Sequence, residues 1–285
     1  MKQSVFETAR GGIAYWTSTP VRSELPWLVL LPGITADHRI FDLQVDALAG
    51  SANLITWDAP SHGLSRPFPL DWSFDQLAEW LHAILEREGA TRAVLAGHSM
   101  GGYVAQVYAE RHPAEVCGFV GIDTAPLERS YYRSIELFFL RHIHRMYRFM
   151  DWNGLVRRSV EKNALTTDAR RRAAEVLAGY DKDSYTALMA QGFKAHVEEV
   201  ARGRSYRLTC PALLLCGEHD TTGAVRQTTT TWSRREGIPL QWIPGAAHNV
   251  TWDNPEAVTK AIGDFLEGNT ALPLKEAGKA LGLKP

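Results

Sequence analysis

The chain has 285 residues, with 31 Lys+Arg against 32 Asp+Glu and a formal net charge of −1. Its 45% hydrophobic and 22% charged residues are those of a folded globular protein, which excludes a disordered or fibrous chain. The near balance of charge excludes an overall electrostatic drive toward nucleic acid.

Taken from the start, MKQSVFETARGG lacks the apolar run of a signal peptide. The longest apolar stretch, Trp27–Leu31, is far too short to span a bilayer, so no integral membrane segment is expected. Trp27–Leu31 reads instead as a buried strand stopped by Pro32-Gly33, and Asn53–Trp57 as a second. Phe74, Leu77, Leu81, Ile84 and Leu85 then share one face of a helix over 74–88 that Gly89 ends. A strand at 93–96, a helix over Met100–Arg111 stopped by Pro113, and a strand over Val116–Ile122 follow. Strands at 212–216 and Leu240–Ile243 and a helix from Pro255 to about Glu267 close the pattern. The tail, 269–285, reads as a short appended helix or a partly mobile segment. Strands alternating with amphipathic helices predict an α/β fold with a mostly parallel, doubly wound sheet.

Residues 126–205 break that rhythm. They carry almost no strand signal and predict about four helices, near 130–149, 152–162, 166–179 and 183–199. They hold 15 Lys+Arg against 10 Asp+Glu, and the remainder holds 16 against 22. An all-helical block of opposite charge between two strands of one sheet predicts an inserted cap at 126–205 on a core of 1–125 and 206–285. Cys117, Cys210 and Cys216 make no Cys-x-x-Cys pair, so neither a disulfide framework nor a common zinc spacing is present, and the chain reads as cytoplasmic. No G-x-G-x-x-G or Walker sequence occurs, no short spacing assembles a metal site, and no cofactor is expected. His142-x-His144, two apart on a predicted helix, should point to different faces.

The strongest local signal is Gly97-His98-Ser99-Met100-Gly101-Gly102, directly after a predicted strand and opening a predicted helix. A nucleophilic serine on a strand-to-helix turn needs a strained backbone, and glycines two before and two after it permit the close approach. G-x-S-x-G alone is weak, since roughly 0.1 chance matches are expected at this length. Such a serine needs a base, and the base an orienting carboxylate. The strand at 212–216 leads into Gly217-Glu218-His219-Asp220, and the next into Pro244-Gly245-Ala246-Ala247-His248-Asn249. Both loops follow C-terminal strand ends, where parallel sheets place ligands.

The order Ser99, Asp220, His248, with these motifs, resembles the α/β-hydrolase family with a helical cap, over roughly residues 4–268. The resemblance implies Ser99 as nucleophile, His248 as base and Asp220 as the acid, with Asp123 in Gly121-Ile-Asp-Thr the alternative acid. It implies an oxyanion hole from the Met100 and Ile34 amides, although many relatives have His-Gly where this chain has Pro32-Gly33. Asp58-x-Pro60-x-His62-Gly63-x-Ser65 resembles the family's next loop, with Ser61 where glycine is common. His98, Phe138 and Trp152 are candidate substrate contacts, most cap aromatics being packing, and His38 lies close enough in sequence to Ile34 to approach the pocket. Arg157-Arg158 and Arg170-Arg171-Arg172 read as a solvated helix face or as attraction to an acidic head group or anionic interface.

The implied activity is serine hydrolysis of small to medium apolar carboxylic esters by a monomer or homodimer. Thioesters and lactones share the chemistry. The run Leu31-Pro32-Gly33 to Asp37-His38-Arg39 resembles the early loop of cofactor-free ring-opening dioxygenases, which together with carbon–carbon bond hydrolases form one rival. A ligand receptor with slow hydrolysis is the other.

Overall fold

Val29 and Leu31 face one way from the third strand and Leu28 and Leu30 the other, and all four are fully buried. That run therefore forms only where both faces of a sheet are covered. A computed structural model describes residues 1–270 and bears this out. Its eight strands are β1 (Lys2–Thr8), β2 (Gly11–Thr17), β3 (Trp27–Leu31), β4 (Asn53–Trp57), β5 (Ala93–His98), β6 (Val116–Ile122), β7 (Ala212–Gly217) and β8 (Leu240–Ile243), in spatial order β1-β2-β4-β3-β5-β6-β7-β8. From β4 to β8 every pairing is parallel, and the β1–β2 hairpin is antiparallel to itself and to β4.

Helices α1 (Asp42–Leu48) and α10 (Pro255–Thr270) cover the Leu28/Leu30 face, and α2 (Phe74–Glu88) and α3 (Met100–Arg111) the other. α2 starts where its sequence says: Ser73 Oγ accepts from the Gln76 N–H at 3.3 Å while Gln76 Oε1 accepts from the Ser73 N–H at 2.9 Å, and Gly89 closes it with φ 72°.

Between β6 and β7 the described chain is helical: α4 (Ser134–His142), a 3₁₀ stretch over Ile143–Phe149, α5 (Trp152–Asn163), α6 (Thr167–Leu177) and α7 (Lys182–Ala201). The single helix expected near 130–149 is thus three segments, a 3₁₀ turn over Arg129–Tyr131 preceding α4 and the longer 3₁₀ stretch. α8 (Val225–Glu236) follows β7, and α9 (Val250–Asp253) precedes α10. The tail reading for 269–285 lies, beyond Thr270, outside the described residues. No described helix is long and apolar enough to cross a membrane.

One corner of the helical insertion is tied to the sheet's loops. The buried Asp253 carboxylate accepts from the Leu165 and Thr166 N–H groups, each at 2.8 Å, and from Ala247 N–H at 3.0 Å. Asn163 O accepts from Asn249 N–H at 2.7 Å, and Asn163 Oδ1 from Thr222 Oγ1 at 3.1 Å.

Candidate active site

β5 ends at His98 and α3 begins at Met100, so Ser99 alone turns the chain, at φ 51° and ψ −116°. A non-glycine residue held there stores about 1–3 kcal/mol. The turn is pinned from both sides. Ser99 N–H donates to Ile122 O at 2.8 Å, and Thr124 Oγ1 donates to Ser99 O at 2.8 Å. The glycines are needed for space: a Cβ on Gly97 would stand 2.5 Å from the Gly101 carbonyl, and one on Gly101 would strike the Leu31 backbone.

The loops after β7 and β8 carry Asp220 and His248, both buried, with His248 Nδ1 2.9 Å from Asp220 Oδ2. Asp220 Oδ1 accepts from Thr222 N–H at 2.7 Å. Burial pushes the Asp220 carboxyl up, but the charge and hydrogen bond of His248, helped by Thr222, outweigh it and hold it at about 2. With Nδ1 engaged by a carboxylate, Nε2 is the ring nitrogen left for a substrate-side proton.

Asp123 stands behind this pair, fully buried at φ 44°, its Oδ1 accepting from Gly217 N–H at 2.9 Å. Ligand atoms of Asp123, Cys216 and Asp220 lie within 4.8 Å of one another. Burial first, and the Asp220 charge second, push the Asp123 carboxyl well above the usual carboxylate range. The carboxylate hydrogen-bonded to His248 is Asp220.

His98 is buried with Nε2 2.8 Å from His248 O. Burial, and then the charge of His248, lower it to about 3, so the neutral ring donates from Nε2 and fixes the backbone of the neighbouring histidine. A Cβ on Gly33 would stand 2.9 Å from His98 Nδ1 and 3.0 Å from Ser99 Cβ, so the Pro32-Gly33 loop lies directly on the serine turn. Ile34 and Met100 line the same cavity as Ser99, His98 and His248.

The loop after β4 is structural. Asp58 accepts from His38 N–H at 2.8 Å and Leu64 N–H at 2.7 Å, while Ser65 Oγ donates to Asp58 O at 2.6 Å. His38 stacks on Trp16 at 3.6 Å and pairs with Asp58, outside the cavity wall. His62 Nδ1 sits 3.0 Å from Pro60 O.

The cavity holds about 890 Å³ beneath the helical insertion. Neither Phe138 nor Trp152 is in its wall. Phe138 falls on the outward face of α4, away from the buried Leu137, and Trp152 packs edge-on against Tyr185 at 5.6 Å. The wall uses Tyr103 and His196 instead, their rings 4.3 Å apart. Tyr103, four residues beyond Ser99 on α3, shares the serine's side of the helix and was findable by that spacing; His196, on α7, had no local signal. Burial lowers His196 to about 4.

Arg171 and Arg172 pair with Asp168, and Arg170 Nε donates to Ala164 O at 2.9 Å, so that basic run is spent within its own helix and its N-terminal approach. Outside the cavity, His82, His112 and Glu115 bring ligand atoms within 4.8 Å. The two imidazoles stack at 3.9 Å and 10°, however, so their in-plane lone pairs run side by side and do not converge on one ion.

A family model described as "Alpha/beta hydrolase family" matches residues 28–261. The chain is similar to the 2-succinyl-6-hydroxy-2,4-cyclohexadiene-1-carboxylate synthase of Escherichia coli O1:K1, 27% identical over 85% of this chain and 94% of that protein. It is similar also to the 2-(acetamidomethylene)succinate hydrolase of Mesorhizobium japonicum, 25% identical over 85% of this chain and 88% of that one. Among solved structures, a hydrolase from Pseudomonas aeruginosa superposes with a TM-score of 0.78 at 21% identity, over 93% of this chain and 98% of that one. Sheet order, serine turn and family match agree: the chain belongs to the alpha/beta hydrolase family.

Proposed function

We propose that the protein is a serine hydrolase that cleaves carboxylic esters of small to medium apolar substrates through an acyl-enzyme. The observation that carries this reading is the hydrogen-bonded His248–Asp220 pair, 2.9 Å apart, opening with Ser99 onto one largely apolar cavity. His248 Nε2 takes the Ser99 proton as Oγ attacks the acyl carbonyl. The Met100 and Ile34 N–H groups hold the oxyanion, and Asp220 stabilises the imidazolium. Collapse breaks the ester bond, and His248 protonates the departing alcohol. The same nitrogen then deprotonates a water, which attacks the acyl carbon and releases the acid. Residues 126–205 act as the cap over this site.

The bonding of His248 to Asp220 also favours ester hydrolysis over the dioxygenase alternative, in which Asp123 would be the acid. The named relatives widen the range of acyl chemistry to test, since one is called a synthase and one a hydrolase of a substituted succinate. The test is a panel of esters graded in acyl length and leaving group, run beside a fluorophosphonate probe and an oxygen electrode. Turnover and labelling should both fall in Ser99→Ala, turnover by about 10⁴-fold or more. Oxygen uptake without ester turnover, or folded protein that resists the probe, would overturn the reading.

A further inference from the structure

The segment 134–149 wears its apolar residues outward. Ile135, Phe138 and Phe139 recur at i, i+3 and i+4 on α4 and are 51%, 58% and 63% exposed, while Leu137 on the other side is the helix's buried residue. Ile143 and Met146 extend the exposed stripe. Phe139, Ile143 and Met146 also line the Ser99 cavity, so the stripe is the cavity's outer lip. A contiguous exposed patch of large apolar side chains marks a contact surface, unlike singly scattered ones.

Beside it lies a second feature. A depression of about 420 Å³ is lined by Arg141, His142, His144 and Arg145 and, from α7, by Lys194, with no carboxylate in its wall. His142 and His144 therefore share one hollow instead of pointing apart, because the chain changes pitch from α4 to the 3₁₀ stretch between them. Arg141, Arg145 and Lys194 enter no ion pair among the described residues. The carboxylate on α4, Glu136, is turned back to its own helix, accepting from Arg133 N–H at 2.8 Å.

We propose that this face of the helical insertion docks on an anionic phospholipid surface, the apolar stripe sinking into the headgroup–acyl boundary and Arg141, Arg145 and Lys194 receiving lipid phosphates. An apolar stripe flanked by arginine and lysine is the pattern of a segment that lies in an interface. Charge selects lipid over a second copy of the chain, because a two-fold dimer through this face would set the same cationic hollow against itself. Docking places the cavity's lip at the acyl region, where an apolar ester would leave the bilayer. The inference goes beyond the hydrolytic reading and needs no turnover, so the Ser99→Ala protein should dock as the parent does.

The test is flotation of the full chain with phosphatidylcholine vesicles, with and without about one-third phosphatidylglycerol. Binding should require the anionic lipid and weaken with salt. Arg141→Gln/Arg145→Gln should lower partitioning about thirtyfold, the effect of removing two surface charges. Ile135→Ser/Phe138→Ser, at positions outside the cavity wall, should lower it by about tenfold or more, with circular dichroism unchanged for both pairs. Inorganic phosphate should weaken binding no more than chloride does at the same ionic strength. No flotation, equal binding to both vesicles, variants that bind like the parent, or displacement by phosphate beyond that by chloride at equal ionic strength would each overturn the proposal. So would a dimer in sedimentation that Phe138→Ser dissociates, since a second copy would then cover the stripe.

Discussion

Ser99 and Asp123 are both non-glycine residues at positive φ, 51° and 44°, at the ends of the adjacent strands β5 and β6. Their strain has different uses. Ser99 is turned to expose an oxygen, whereas Asp123 is turned to bury one. The two neighbouring carboxyl groups are pushed in opposite directions: burial and repulsion by Asp220 raise Asp123, and the imidazole of His248 holds Asp220 low. Asparagine copies a neutral carboxyl in size and donor capacity, so Asp123→Asn should keep activity within about tenfold of the parent. Asp220→Asn removes the charge facing the imidazolium and should lower kcat by about 10⁴-fold. Steady-state kinetics on one ester decides the matter; equal losses in the two variants would mean that Asp123 is ionised and shares the acid's role.

Among the elements, those flanking the site are held by polar staples as well as by the apolar packing of Ala169, Val176 and Trp252. Asp253 takes three backbone N–H groups from two separate loops, so Asp253→Ala leaves Leu165, Thr166 and Ala247 unpaired near the interior. The expected cost is about 3 kcal/mol in urea unfolding, accompanied by lower kcat as the His248 loop loosens. A loss below about 1 kcal/mol would show that water replaces the carboxylate. The staple was not legible in sequence, because Leu165 and Thr166 lie 88 and 87 positions from Asp253 and only the folded chain brings them together. The strands β3 to β7 were legible because each is a short, largely buried apolar run, whereas β8 exposes Gln241 and Trp242. β1 and β2 were not: β1 is an edge strand exposed or half-exposed along its length, with no apolar contrast to read. α8 was missed for a similar reason, since Thr229 and Trp232 are the residues it buries. Of the site, the motif residues were readable from their turns, while the cavity wall was not, because which cap aromatics face inward depends on the pitch change after α4.

The whole molecule buries three histidines that bear on its response to acid. His98 is lowered to about 3 and His196 to about 4, and His62 is lowered too, in each case by burial before any other influence. Their folded values lie below the ordinary 6.5, so as pH falls the unfolded chain takes up protons first. Stability from these groups is complete above 6.5 and is lost progressively toward 3–4. The melting temperature should therefore fall between about pH 7 and 5; the raised Asp123 carboxyl acts in the opposite sense, so the profile is measured in Asp123→Asn, where a flat course across that interval would contradict the burial argument. The corner fastened by Asp253 and Asn163 has a further consequence, for exchanging parts between relatives. A foreign helical insertion must supply, at its second bend, two N–H groups in register with the Asp253 carboxylate and one carbonyl in register with the Asn249 N–H beside His248. The insertion is thus keyed to the sheet's loops at this seam and fastened elsewhere by separate bonds, Gln191 Nε2 to Trp72 O, Arg66 Nη1 to Gly179 O and Arg204 to Asp75, each of which a graft must also reproduce.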